Sequence, residues 1–412
     1  PDNRTNLFNY TTSSYNTGWM NGDIKLATLS DTDDTDVTGA ELVTNGTFDS
    51  NTSGWTEQAG GGSSIAVVSG ELQVTGGTTS YPRARQEFTT VVGQKYVVSA
   101  TARQGTTSNN VYIYNNDLGA SNITYHSSTT NAELSFTFTA SSTTSYVELT
   151  IDGISNGTTA FFDNISVRLA EEDRSVNGNG LQVFGTVTKN PVATGADLVG
   201  YSGFSSSNYL LHPINTMGIN WSTEWSLMFW SLDQGFCVSL EAQNTSSYNN
   251  TVLMLFNDAT NFVTRSHNAN YNVELSGGVT GIHHIAAVYR NGRIIIYQDG
   301  VSIYDNTSNG ISNLNVGLSV GARTYNNTSP YAPANQKLAL LKVSGTNPSP
   351  EQIAKIYNDE KVLFQENAQA TLYGTSDAVT ALAHDDTTNL LHVGTSAGRS
   401  VFQGLRRVEN TT

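Results

Sequence analysis

The stretch AELSFTFTA, residues 132–140, sets Leu134, Phe136 and Phe138 on one side and Ser135, Thr137 and Thr139 on the other. A period of two is the mark of a strand with one buried face, because successive side chains leave a pleated backbone in opposite directions. SSIAVVSGELQVTG, KYVVSATAR, VYIYNN and SYVELTI are further short runs nearby; GINWSTEWSLMFWSL, NTVLMLFN, GIHHIAAVYR, GRIIIYQDG and KLALLKVSG form a second set downstream. Charged residues are only 13%, while Gly, Asn, Ser and Thr fill the segments between the runs. Such residues suit turns and pleated strands rather than helices. With 412 residues the chain is too long for one core. The fold class is all-β: two antiparallel β-sandwich domains plus a small C-terminal β unit.

Five segments follow. Residues 1–38 hold an N-terminal strand, within GWMNGDIKLATL, and an acidic linker. Residues 39–170 form the first sandwich, with Trp55 and the phenylalanines as core candidates, and residues 176–347 the second. A capping helix and linker span 348–369: Ser349 caps, Pro350 suits the first turn, and Gln352 completes a reciprocal cap. Its Ile353, Ile356 and Tyr357 share a stripe that Leu363 extends. Residues 370–412 contain three strand candidates, 378–384, 390–394 and 401–408. Within the second sandwich, Arg290-Asn291-Gly292-Arg293 is a hairpin signal, since Asn-Gly accepts the positive φ angles of a two-residue turn. The chain begins PDNRTNL, as a processed product or the ordered part of a longer polypeptide would.

A net charge of −15 argues against nucleic acid as a partner, because phosphate binding needs a positive surface. No run reaches membrane-spanning length. Cys237 is a single cysteine, read as a buried small hydrophobe, so no intrachain disulfide and no multi-thiolate metal site can form.

His283 and His284 are adjacent, so a regular strand points them apart and they cannot jointly chelate one metal. Asp31, Asp33, Asp34 and Asp36 form either a solvated acidic loop or a place where calcium gathers. Hydrolysis of a polysaccharide needs two convergent carboxylates. Asp233 and Glu241 flank a strand without the spacing for that pair, and no nucleophile elbow or phosphate loop is present. The chain reads as a binding or packing protein, not an enzyme. Tyr112 and Tyr114 share one face of VYIYNN, either stacking on sugar rings or buried in the core. Arg323, Tyr325, Asn326 and Asn327 lie in a polar loop whose amides and phenol suit hydroxyl recognition, or form an ordinary loop.

Asn45-Gly46-Thr47-Phe48-Asp49, Gly54-Trp55 and Asp163-Asn164-Ile165-Ser166-Val167 resemble the opening and closing motifs of jelly-roll carbohydrate-binding modules. That resemblance implies a structural calcium with Asp163 as a ligand. Ile282-His283-His284-Ile285-Ala286, Asn291-Gly292 and Ile296-Tyr297-Gln298-Asp299-Gly300 resemble the concanavalin A-like, laminin-G-like domains, with Ile282 where tryptophan is usual. Residues 390–396, LLHVGTS, resemble one blade of a β-propeller, and the early GWMNGDIKLATL strand is a candidate remnant of a preceding blade. The module order resembles phage tail-fibre or virion appendage proteins. This implies a virion location, other virion proteins as partners, a homo-oligomer, trimeric by resemblance, and host-surface glycans as ligands. The alternatives are a carbohydrate-active enzyme (a glycoside hydrolase) with an accessory module, and a purely architectural or capsid-decorating virion protein.

Overall fold

The computed structural model describes residues 24–78, 81–115, 123–153, 156–213, 217–232, 237–242, 251–257, 262–266, 269–273, 281–307, 316–322, 336–369, 371–374, 378–404 and 406–412. Its regular elements are strands apart from one α-helix, Pro350–Glu360, and the 3₁₀ turn Lys361–Phe364 that continues it, joined by turns and loops.

In the first sandwich one antiparallel sheet runs Thr56–Glu57, Arg83–Thr89, Thr144–Ile151, Val111–Asn115, Ile123–His126. The facing sheet runs Ser64–Val68, Glu71–Thr75, Thr159–Glu171, Lys95–Gln104, Ala132–Thr139. Alternation sends Val111, Ile113, Val147, Leu149 and Ile151 from the first sheet, and Leu72, Val98, Ala100 and Phe138 from the second, into one core. Phe48 and Trp55 close it, with ring centroids 5.4 Å apart. The two motifs that bracket this domain meet in space. Ile165 donates its N–H to Gly46 O at 2.9 Å, and a Cβ on Gly46 would fall 2.1 Å from Ile165 O, so only glycine allows the approach.

The second sandwich recruits the N-terminal segment. Ile24–Thr28 pairs with Leu338–Ser344, which also pairs with Trp225–Ser231; from there the sheet continues through His283–Arg290, Arg293–Gln298 and Val301–Thr307. Val37–Gly39 pairs with Leu181–Pro191. That last strand bends at Gly185, φ 63°, and serves both layers, pairing with Tyr209–His212 in the opposing sheet and with Val199–Ser202 in the first. The opposing sheet goes on through Val316–Val320, Cys237–Ala242, Thr251–Asn257, Phe262–Ser266 and Ala269–Val273. Residues 24–39 are thus neither a free linker nor a blade remnant: they are two strands of the second sandwich, and the first sandwich is inserted between them and residue 181. The acidic run is correspondingly tied down at both ends. Asp31 pairs with Lys189 at 2.9 Å and Arg174 at 3.3 Å, and Asp36 accepts the Lys189 backbone N–H, while Asp33 and Asp34 stay exposed.

Trp225–Ser231 is buried at every residue because both faces of its sheet are covered. Trp225, Leu227 and Phe229 face the inter-sheet core, whereas Met228 and Trp230 face a second apolar layer under the helix. The helix begins as expected: Ser349 Oγ accepts the Gln352 N–H and Gln352 Oε1 accepts the Ser349 N–H. Ile353 and Ile356 pack inward, and so does Glu360, a charged residue outside the apolar stripe read from the sequence.

The C-terminal unit is a four-stranded antiparallel meander, Val379–Asp385, Leu390–Thr395, Gly398–Gln403, Arg406–Thr411. The single outer strand expected over 401–408 is two strands here. Gly404 at φ 62° turns the chain inside that run, and Ser396-Ala397 turns it just before. Leu391, Val393 and Phe402 make a small core with Leu372.

Candidate functional site

On the solvent face of the Arg83–Thr89 sheet two rows of side chains cross the strands. The first is Arg83, Thr150, Tyr112, Tyr125; the second is Arg85, Glu148, Tyr114, Ile123. They face outward because their neighbours Ala84, Leu149, Ile113 and Val111 occupy the core, so burial of the two tyrosines in that core does not occur. With Tyr81 and Asp152 most of these side chains line an open cleft of about 420 Å³. Tyr81, just before the strand Arg83–Thr89, is 51% exposed and Tyr125 57%.

Tyr112 and Tyr125 lie 5.4 Å apart, centroid to centroid, and tilt 43° to each other, so each offers a separate ring face. Asn110 Nδ2 donates to the Tyr112 hydroxyl at 3.3 Å, which holds that phenol upright. Below them Glu148 is fully buried and takes Arg85 at 2.6 Å, with Arg83 at 3.9 Å. Arg85 also lies 4.3 Å over the Tyr146 ring. Burial, and then the Glu148 carboxylate, pushes the Tyr114 phenol up to about 12, so it stays a neutral donor. Thr150 donates to Pro82 O at 2.7 Å and fixes the approach to Tyr81. The cleft therefore combines apolar ring faces with a few oriented polar groups and an internally balanced arginine–glutamate pair. That mixture suits a neutral, hydroxyl-rich ligand.

Tyr81, Tyr125, Arg83 and Asp152 were not singled out by sequence reasoning. Tyr125 and Ile123 alternate within ITYH, but seeing them as neighbours of Tyr112 requires the pairing of Val111–Asn115 with Ile123–His126. Arg323, Tyr325, Asn326 and Asn327 lie outside the described residues, as do Asp233 and the side chain of Glu241.

Asp163 sits at a bulge, where the register against Lys95–Gln104 shifts between Asp163 and Ser166. Its carboxylate accepts the Asn164 N–H at 2.8 Å and Asn164 Nδ2 at 3.2 Å. Burial, with the charges of Glu71, Asp49 and Glu133 adding to it, raises its pKa. Among the described residues no group of three or more acidic, His or Cys side chains could hold a metal ion. In the second sandwich His283 and His284 do point apart. His283 Nδ1 donates to Asp299 Oδ2 at 2.7 Å, and His284 is buried against Trp230. Among the described residues no helix is long and apolar enough to cross a membrane.

Fold and cleft together define a β-sandwich protein whose inserted domain carries an open, tyrosine-lined cleft. Residues 40–158 match the family model described as "Carbohydrate binding domain". Among solved structures, a CBM4 structure is 18% identical, covering 31% of this chain and 99% of its own, with a TM-score of 0.27. Domain 4 of AbnA, an extracellular arabinanase from Geobacillus stearothermophilus in complex with arabinotriose, is 14% identical over 45% of this chain and 92% of its own, TM-score 0.35. The receptor binding domain of a botulinum neurotoxin C/D mosaic serotype is 11% identical over 59% and 61%, TM-score 0.36. No curated protein matches the chain.

Proposed function

We propose that the chain is a non-enzymatic glycan-binding protein whose tyrosine-lined cleft holds a neutral sugar, in a virion appendage that presents this face to host-surface glycans. The observation that carries the binding part is the row Thr150, Tyr112, Tyr125 with Tyr81 beside it: exposed rings around oriented polar groups. The family match over 40–158 supports the same ligand class. The appendage part rests on the module order and on the edge strand Val379–Asp385 of the C-terminal meander, which pairs on one side only among the described residues and which a propeller-like assembly or a neighbouring subunit would cover. A homotrimer is the assembly this reading favours.

A glycan array probed with the full chain tests the binding. Retention of one class of neutral oligosaccharide, lost on double substitution of Tyr112 and Tyr125 by alanine, is the expected result. Retention unaffected by that substitution moves the ligand elsewhere, and no retention removes the glycan reading altogether. Release of products from the retained oligosaccharide would instead favour the carbohydrate-active enzyme. Light scattering of the purified chain reads the subunit number directly.

A further inference from the structure

Away from the cleft, a second cluster joins chemistry-bearing groups that glycan binding does not use. Lys342 lies in the all-buried strand Leu338–Ser344, whose Leu341 and Val343 fill the inter-sheet core while Lys342 turns the other way, beneath the helix. There its Nζ meets Glu360 Oε1, and the other carboxyl oxygen, Oε2, receives the Trp230 Nε1–H at 2.6 Å. Both charged side chains are closed off from solvent, at 3% and 0% exposure. His284, on the strand beside Trp230, packs its ring 5.3 Å from the indole, and among the described residues neither ring nitrogen has a hydrogen-bond partner.

We infer that Lys342 and Glu360 condense into a side-chain amide, a covalent clamp between the strand Leu338–Ser344 and the helix Pro350–Glu360. Two ions brought out of water carry a desolvation cost that their attraction only partly returns, whereas a neutral amide carries no buried charge. The site favours the uncharged reactants. Burial brings the Lys342 ammonium down to about 7 and pushes the Glu360 carboxyl well above its ordinary value. In the step, neutral Nζ attacks Cδ of the protonated carboxyl. A C–N bond forms and the Cδ–Oε1 bond breaks. Oε1 leaves as water, with its own proton and one from Nζ. No oxidant, reductant or cofactor is consumed.

Each neighbour has a part in that reaction. Negative charge builds on Oε2 during attack, and the Trp230 N–H is already aimed at it. Fixed contact between Nζ and the Glu360 carboxyl group replaces an improbable encounter in water. Burial, and then the Lys342 charge, takes the His284 imidazole down to about 3, so it stays neutral and adds no competing cation beside the pair.

Intact mass of the full chain under denaturing conditions decides the matter. The expected mass is one water lighter than the sequence requires. Trypsin should then fail to cut after Lys342 and yield residues 338–355 joined to residues 356–361. Lys342→Arg should return the full mass. An unmodified wild-type mass with normal cleavage after Lys342 overturns the inference, as does a water loss that maps to other peptides or persists in Lys342→Arg. Because the wild-type chain itself gives the reading, a poorly folding variant does not blunt the test.

Discussion

Tyr125 pairs across the strands with Tyr112 and leaves more than half its surface to solvent. A ring in that position contributes by stacking, and an aromatic contact is worth about 1 kcal/mol beyond the area it buries. Tyr125→Ala should therefore weaken the array ligand about threefold to tenfold, read by isothermal calorimetry, with an unchanged melting midpoint. A change in melting with no change in affinity would make Tyr125 a structural residue only. Gly46 gives the opposite profile. Gly46→Ala drives a Cβ against Ile165 O and should cost about 1–3 kcal/mol in urea unfolding of the first sandwich. At this scale the sequence was informative wherever a residue's neighbours are local. Alternation placed Tyr112 and Tyr114 on one face, and the two bracketing motifs named Gly46 and Ile165. It was silent where the neighbour is remote: nothing near Tyr81 announces that it borders Tyr112, and nothing near Glu360 announces Lys342.

Elements follow the same division. The hairpin joining His283–Arg290 to Arg293–Gln298 was legible because Asn291 and Gly292, φ 50° and 71°, fix the register by turn chemistry alone. The helix was legible through its capping box. Val37–Gly39 was not, since three residues of VTG form a strand only by pairing with Gly185–Val187. The strand Thr159–Glu171 carries a pH signature at its end. Burial pushes Glu171 up to about 7, opposed by the hydrogen bond from Tyr201, 2.7 Å, and by the charge of Lys189; Asp31 adds to the rise and Arg174 opposes it. A carboxyl raised in the folded state holds a proton that the unfolded chain has released, so its contribution is complete below pH 4.5 and disappears as pH rises through 7. The full swing is at most about 3 kcal/mol. Urea midpoints at pH 5 and pH 8 should differ more in the wild type than in Glu171→Gln, which cannot ionise; equal differences in both would show that Glu171 does not titrate across this window.

At the scale of the whole molecule, the inserted arrangement separates two kinds of dependence. The second sandwich needs residues 24–39, since Ile24–Thr28 pairs along Leu338–Ser344 and Asp173 fixes that strand by accepting the Ala27 N–H at 2.8 Å, while also accepting from Ser175 and Asn179. A chain that starts at residue 40 should lose cooperative melting of the second sandwich while the first retains its own. Two melting transitions of unchanged height in that truncated chain would show that the N-terminal strands are dispensable. The fold class was readable from alternation, yet the order of insertion was not, because strand partners so far apart in sequence leave no local mark.

Insertion also has a mechanical side. The inserted domain is joined to its host by two chain crossings, one after Gly39 and one where Thr159–Glu171 runs on to pair with Leu181–Pro191. A body held by a single thread can swivel, whereas one held by two resists torque about either. If the cleft seats a sugar as proposed, a pull on that ligand would divide between two backbone paths into the larger sheet, and the cleft would keep its bearing under load.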